Sequence, residues 1–150
     1  MTDLQLEELS PENIVQANSL TLKRGQEQFL APLSYSIAAT VTNPAATWQR
    51  IVKSGDRVVG FIQGNFDKEA PQEHFRCCIW RVNVDADFQG KGVGKFAVNG
   101  LLDEARKRGF DHVTVIWDDA LEGPGGFFQS VGFTKVDESE YGEIIGEMKL

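Results

Sequence analysis

The sequence predicts a mixed α/β fold, with antiparallel strands toward the N-terminus, a central βαβ unit and a closing C-terminal hairpin. Three observations carry this prediction. Residues 76–84 alternate in the manner of a strand, the apolar spacing changes to a helical period from Val93, and His112 to Trp117 is again a β-branched, aromatic run. A strand, a glycine turn, a helix and a second strand make a βαβ unit. The strands at 76–84 and 112–117 are therefore expected to lie parallel and close together.

Each element has its own local signal. Leu4 and Leu6 alternate with polar residues as in a short strand. Ser10-Pro11-Glu12 offers an N-cap, a proline at the first helical position and an early acid, which predicts a helix to about Leu22. Asn43-Pro44 ends the apolar segment after Ser34. Trp48 to Val52 and Arg57 to Gln63 read as strands around the turn Ser54-Gly55-Asp56, a hairpin signal. In Arg76 to Val84 the alternation places Cys78, Trp80, Val82 and Val84 on one face and Cys77, Ile79, Arg81 and Asn83 on the other. Val93, Phe96, Ala97, Gly100, Leu101 and Ala105 form one helical stripe, ended at Gly109. Gly125 to Ser130 fits a short helix ended by Gly132, with Phe133–Val136 and Glu143–Leu150 as the last strands.

Composition narrows the function classes. At 150 residues, with 41% hydrophobic and 25% charged residues, residues 1–150 are expected to form one globular domain. No stretch reaches the length of a membrane span, and the acidic start Met1 to Glu8 lacks the character of a signal peptide, so a cytoplasmic protein without membrane contact is expected. Cys77 and Cys78 are adjacent and cannot staple distant segments. His74 and His112 lack metal-ligand spacing, so no metal is expected. The formal charge of −7 argues against a nucleic-acid partner. Its distribution is uneven: Lys91, Lys95 and Arg106 to Arg108 crowd one segment, whereas Asp111 to Glu147 is acidic apart from Lys135. An anionic ligand suits the first region and a cationic one the second, although solvated surface explains both equally well. Whether the chain pairs as a homodimer stays open.

The chemistry concentrates in Gln89-Gly90-Lys91-Gly92-Val93-Gly94-Lys95. Three alternating glycines let a backbone turn present successive N–H groups at the opening of a helix, where the dipole favours a phosphate or pyrophosphate. A Walker A loop is excluded, because Gln89 stands where its first glycine belongs and Phe96 where its hydroxyl belongs. A dinucleotide fingerprint starting at Gly92 puts Ala97 at the third glycine, which is permitted; the antiparallel strands before it and the short chain after it count against a doubly wound sheet.

Gln89-x-x-Gly92-x-Gly94, preceded by Val82-Asn83-Val84-Asp85, resembles the acetyl-CoA motif of the GNAT superfamily of N-acetyltransferases. Gly126-Phe127-Phe128-Gln129-Ser130-Val131-Gly132-Phe133 resembles that family's later segment, where a helix ends in a Gly-Phe pair before the last hairpin. Gln28-Phe29, Tyr35 to Ala38 and Ile79-Trp80-Arg81 look most like its bacterial diamine or spermine/spermidine acetyltransferases.

The resemblance implies that the strands at 76–84 and 112–117 splay apart, with acetyl-CoA as co-substrate. Its pantetheine arm would lie along the backbone of Val82 to Val84, its pyrophosphate on the amides from Gly90 to Lys95, and its thioester end near Phe128. A small amine, spermidine, spermine or a diamine, is the implied acceptor. The family usually has tyrosine, the acid for the departing thiolate, where this chain has Phe128; Tyr35 and Tyr141 are the remaining tyrosines. Asp118 is a candidate proton acceptor and Glu73 a second carboxylate for the acceptor site. Trp80 and Trp117 are candidates for an aromatic wall against a cation, or else core packing. The missing tyrosine keeps open a non-catalytic acyl-CoA-binding or sensing domain. An antibiotic or a peptide N-terminus also remains open as acceptor.

Overall fold

The structure is a computed structural model that describes residues 3–20, 45–119, 124–139 and 142–150. The described strands are β1 (Leu4–Glu7), β2 (Thr47–Ser54), β3 (Arg57–Phe66), β4 (Cys77–Val84), β5 (His112–Trp117), β6 (Thr134–Glu138) and β7 (Ile144–Lys149). The described helices are α1 (Ile14–Asn18), α2 (Val93–Lys107) and α3 (Gly125–Ser130), with 3₁₀ turns at Glu73–Phe75 and Ala86–Phe88. The strands form one sheet in the order β1-β2-β3-β4-β5-β7-β6, and this is the mixed α/β architecture expected from the sequence.

One junction in this sheet differs from the rest. β4 and β5 are parallel, joined by the α2 crossover, and pair only at Cys78↔Thr114 and Ile79↔Val115. By contrast β5 pairs with β7 along its whole length, from His112↔Lys149 to Trp117↔Ile144. Beyond Ile79 and Val115 the two parallel strands thus part, and the C-terminal half of β4 faces open space.

The core lies mainly between the sheet and α2. Val93, Ala97, Val98, Leu101, Leu102 and Ala105 are buried on the helix, against Val52, Ile62 and Ile79 of the sheet. The stripe is the expected one with a small rotation: Val98 and Leu102 enter it, while Phe96 and Gly100 are only partly covered. A smaller cluster of Ala17, Ile51, Val58 and Phe61 fills the opposite face beneath α1.

Two sequence expectations need correction. The helix predicted from Ser10 begins only at Ile14. Asn13 is the cause: its Oδ1 accepts the Ser10 N–H at 2.8 Å and its Nδ2 donates to the Glu8 carbonyl at 3.0 Å. The side chain thus holds residues 10–13 in a turn, as asparagine does when it competes with helical backbone bonding. Leu22, the predicted end, lies outside the described residues, as do Asn43 and Pro44.

The second correction concerns β4, whose alternation does not run unbroken. Gln63 pairs with Arg81 and Gly64 with Ile79, so Trp80 is an extra residue in a β-bulge. The slip reverses the faces on one side of it. Cys77 and Ile79 join Val82 and Val84 on the α2 face, while Arg81 and Asn83 lie on the other; Trp80 is left 55% exposed.

Candidate functional site

The glycine turn is built by backbone conformation. Gly90 and Gly92 adopt φ of 76° and 85°, and Gly92 is the left-handed N-cap of α2. A Cβ at either position would meet nothing within 4 Å, so glycine is required here by torsion. Gly94 is glycine for another reason: a Cβ there would stand 2.9 Å from the Phe127 ring. Gln89 ties the turn to β4 by donating from Nε2 to the Val84 carbonyl at 3.0 Å. Asp85 accepts the Asp87 N–H at 3.0 Å and lies 3.5 Å from Arg57, which fixes the approach to the turn.

The turn opens into a cavity of about 750 Å³ at the β4/β5 split. Gln89, Gly90, Gly92, Val93, Gly94 and Lys95 form one end of its wall, with Phe88 beside them. Val82 and Val84 supply the β4 side, and Val115 to Trp117 the β5 side. Phe127, Phe128 and Val131 of the α3 segment close the third side. An elongated ligand with an anionic group at one end fits this shape: helical N–H donors and Lys95 at the turn, then an apolar channel along the side of β4 that has no neighbouring strand past Ile79. Those residues suit coenzyme A, the pyrophosphate against Gly90 to Lys95 and the arm along β4.

The other predicted residues divide. Asp118 is exposed at the cavity wall, just past β5. Trp80 also lines the cavity, its ring centroid 5.9 Å from that of Phe75. Trp117 and Phe128 reach the wall but are 5% and 6% exposed, stacked with centroids 5.8 Å apart and an interplanar angle of 21°. Phe128 also packs on Phe127 and Phe133, so this position is part of an aromatic cluster.

Three predicted residues are not in the wall. Glu73 is exposed in the 3₁₀ turn before β4 and is not among the residues lining the cavity. Asn83 is buried on the sheet face away from α2, where its Oδ1 accepts from Arg81 Nε at 2.7 Å. Lys91 is exposed on the outside of the turn, its Nζ 5.3 Å from the Phe88 ring centroid. Tyr35 and Tyr141 lie outside the described residues.

Sequence reasoning missed Arg81 and Glu143 as members of the site. Glu143 lines the cavity from the segment before β7, where its backbone N–H donates to Ser139 Oγ at 3.1 Å. Nothing local marked it among the carboxylates of its segment. Arg81 lines the cavity while only 6% exposed, and burial lowers its pKa to about 10. The signal was present, since an arginine inside a strand whose other residues are uncharged is costly without a local reason.

Thiol chemistry has no place here. Burial pushes both Cys77 and Cys78 up to about 12, so they stay protonated and unreactive at neutral pH. Among the described residues no group of three or more metal-ligating side chains occurs, and no helix is long and apolar enough to cross a membrane.

Comparison with known proteins bears on this geometry. The sequence model described as the acetyltransferase (GNAT) family matches residues 11–133. N-acetyltransferase 8 of Rattus norvegicus is 27% identical over 89 residues, which is 59% of this chain and 40% of that protein. L-2,4-diaminobutyric acid acetyltransferase of Streptomyces coelicolor is 37% identical over 78 residues, 51% of this chain and 44% of that protein. The match thus spans less than half the length of these curated relatives. The crystal structure of paia N-acetyltransferase from Thermoplasma acidophilum in complex with coenzyme A has a TM-score of 0.75 at 13% identity, covering 99% of this chain and 100% of that one. This last likeness is one of fold.

Proposed function

Because the chain belongs to the acetyltransferase (GNAT) family, we propose that it transfers the acetyl group of acetyl-CoA to a primary amine of a small molecule. The acceptor class is the diamines and polyamines, including spermidine and spermine. The observation that carries this reading is the single cavity joining two unlike ends. One end is the N–H-rich turn at the start of α2; the other holds the carboxylates of Asp118 and Glu143.

Each end does a different task. The turn binds and orients the anionic half of acetyl-CoA through Gly90 to Lys95, without side-chain rearrangement. When bound, acetyl-CoA supplies an acyl group on a thiol leaving group. The split between β4 and β5 leaves the β4 backbone past Ile79 without a strand partner on that side, and its N–H groups are the donors for a carbonyl held there. An alkylammonium has a pKa near ~10, so its proton has to leave before attack, and Asp118 with water is the route on this wall. Phe128 has no proton to give, so the departing thiolate is protonated from water or from another group. Holding both reactants together supplies a large part of the rate.

Support for a multiply charged acceptor comes from Asp118 and Glu143 on one wall, and from the exposed Trp80 ring, a surface for a cation. The Streptomyces relative is named for a substrate with two amino groups, which fits this class. The test compares spermidine with a monoamine of similar length at low and moderate salt. Spermidine is expected to show the lower KM, rising with ionic strength. Equal efficiency for the two, with no salt effect, rejects the acceptor class and leaves acetyl transfer standing.

A further inference from the structure

The chain has three tryptophans, and their indole N–H groups stand in three different situations. Trp48 is buried, and its Nε1 is sealed in the core without a hydrogen-bond partner. Trp80 is extruded by the β-bulge into the open. Trp117 is as buried as Trp48 but lines the cavity. Its Nε1 has no hydrogen bond among the described residues, and the atom is not sealed as that of Trp48 is. An indole N–H can only donate, and in a residue this buried it normally has an acceptor. The cavity is where that acceptor can come from.

Packing decides which part of the ring is available. Phe128 stacks on one face, and the six-membered ring abuts Gly146 of β7, where a Cβ would collide with it. The Nε1 edge meets Gly125 at the start of α3, where a Cβ would stand 2.7 Å from Nε1. A side chain at that position would cover the N–H, and glycine leaves it uncovered. Trp117 therefore offers the cavity its N–H rather than an aromatic face.

Register places this donor at the split. Trp117 is the second residue of β5 past the final Ile79↔Val115 pair. On β4, with the bulged Trp80 set aside, Val82 is likewise the second, and both side chains pack on the α2 face. A chain running from the turn along Val84 and Val82 comes level with Trp117 at its far end, just before the strands close. Other donors of the wall are engaged elsewhere. Gln89 Nε2 donates to the Val84 carbonyl, Ser130 Oγ to the Phe127 carbonyl and Arg81 Nε to Asn83 Oδ1. Lys95 belongs to the turn, and Phe128 has no donor at all.

Resting on the acetyl-transfer reading above, we propose that Trp117 is a further catalytic residue, whose indole N–H donates a hydrogen bond to the sulfur that departs from the acetyl group. As the amine nitrogen bonds to the acetyl carbon, the C–S bond breaks and its electron pair stays on sulfur. The indole keeps its proton; it stabilises the negative charge while that charge develops, in a site from which water is largely excluded. The proton lost by the amine leaves by the Asp118 route, and the thiolate takes its own from water.

The test reads the N–H itself. In a proton–nitrogen spectrum the indole signal of Trp117 is the one missing from Trp117→Phe, which keeps an aromatic ring against Phe128. Adding coenzyme A is expected to move that signal downfield and slow its exchange with water. Desulfo-coenzyme A, which binds the turn but has no sulfur, is expected to leave it near its free position. In Trp117→Phe, kcat should fall by about tenfold to a hundredfold, with coenzyme A affinity by calorimetry within about threefold of wild type. Benzothienylalanine in place of Trp117, which keeps the shape and loses the N–H, should match that loss. An equal shift with both cofactors, or none with either, overturns the proposal, as does an unchanged kcat in both variants. A loss in Trp117→Phe that benzothienylalanine restores makes the role one of packing and also overturns it. Failure of the wild-type chain to acetylate any amine overturns the acetyl-transfer reading, and the catalytic role with it, while the spectra still decide the contact with sulfur.

Discussion

The two ends of the cavity are built in opposite ways. At the cofactor end, seven consecutive residues, Gln89 to Lys95, form a turn whose function resides in backbone torsions. At the acceptor end, Trp80 and Arg81, Asp118, Phe128 and Glu143 come from four separate stretches of chain, and what matters there is side-chain identity. A backbone site tolerates changes to its side chains and fails when a torsion is forbidden. A side-chain site fails one residue at a time, and its members are near one another only after folding.

Substitutions at each end sharpen this contrast. The largest effect is expected for Phe128→Ala at the acceptor end. This ring fills the space between Trp117, Phe127 and Phe133, and its removal should cost about 3–5 kcal/mol of stability, read from chemical denaturation. A loss under about 1 kcal/mol would mean that the aromatic cluster is not packed as described. Next is Gly92→Val, which forces a β-branched residue into φ of 85° at the mouth of α2. With about 1–3 kcal/mol of backbone strain, or a turn rearranged to relieve it, coenzyme A binding should weaken by about a hundredfold. Calorimetry on a variant that still melts cooperatively decides this, and unchanged affinity removes the turn as the binding site. The smallest effect is expected for Lys91→Ala in the same turn. Lys91 is exposed and outside the cavity wall, so affinity should fall by less than about fivefold, and less again in added salt. A Lys91 effect as large as that of Gly92 would show that charge, rather than backbone, carries the cofactor end.

The same contrast explains what was legible in the sequence. The βαβ unit, the β5 limits His112–Trp117 and the α3 limits Gly125–Ser130 were all readable, because periodicity and punctuating glycines are local signals. The turn was readable because its glycines, Gly90, Gly92 and Gly94, alternate within one short stretch of sequence. Gly94 was readable only in part: Phe127, from a segment much later in the chain, is what fills the space of its missing side chain. The faces of β4 were misread because a bulge depends on the neighbouring strand. Only the pairing of Gln63 with Arg81 and of Gly64 with Ile79 shows that Trp80 is the extra residue. The start of α1 was misread because two polar residues competed to organise it, and Asn13 prevailed over Ser10 by bonding to both the Ser10 N–H and the Glu8 carbonyl. Glu143 was hidden among many acids, and Glu73 was favoured for its nearness to β4 in sequence, which did not bring it to the cavity.

Acetyl transfer itself is tested most directly by incubating the purified chain with acetyl-CoA, following free thiol, and weighing the amine product by mass spectrometry. The account predicts thiol release that depends on an added primary amine and a product heavier by one acetyl group, with coenzyme A bound in preference to NAD. Tight coenzyme A binding with no acetylated product from any amine in a panel of polyamines, amino acids, aminoglycosides and peptides would contradict it, and would make the chain a binding domain.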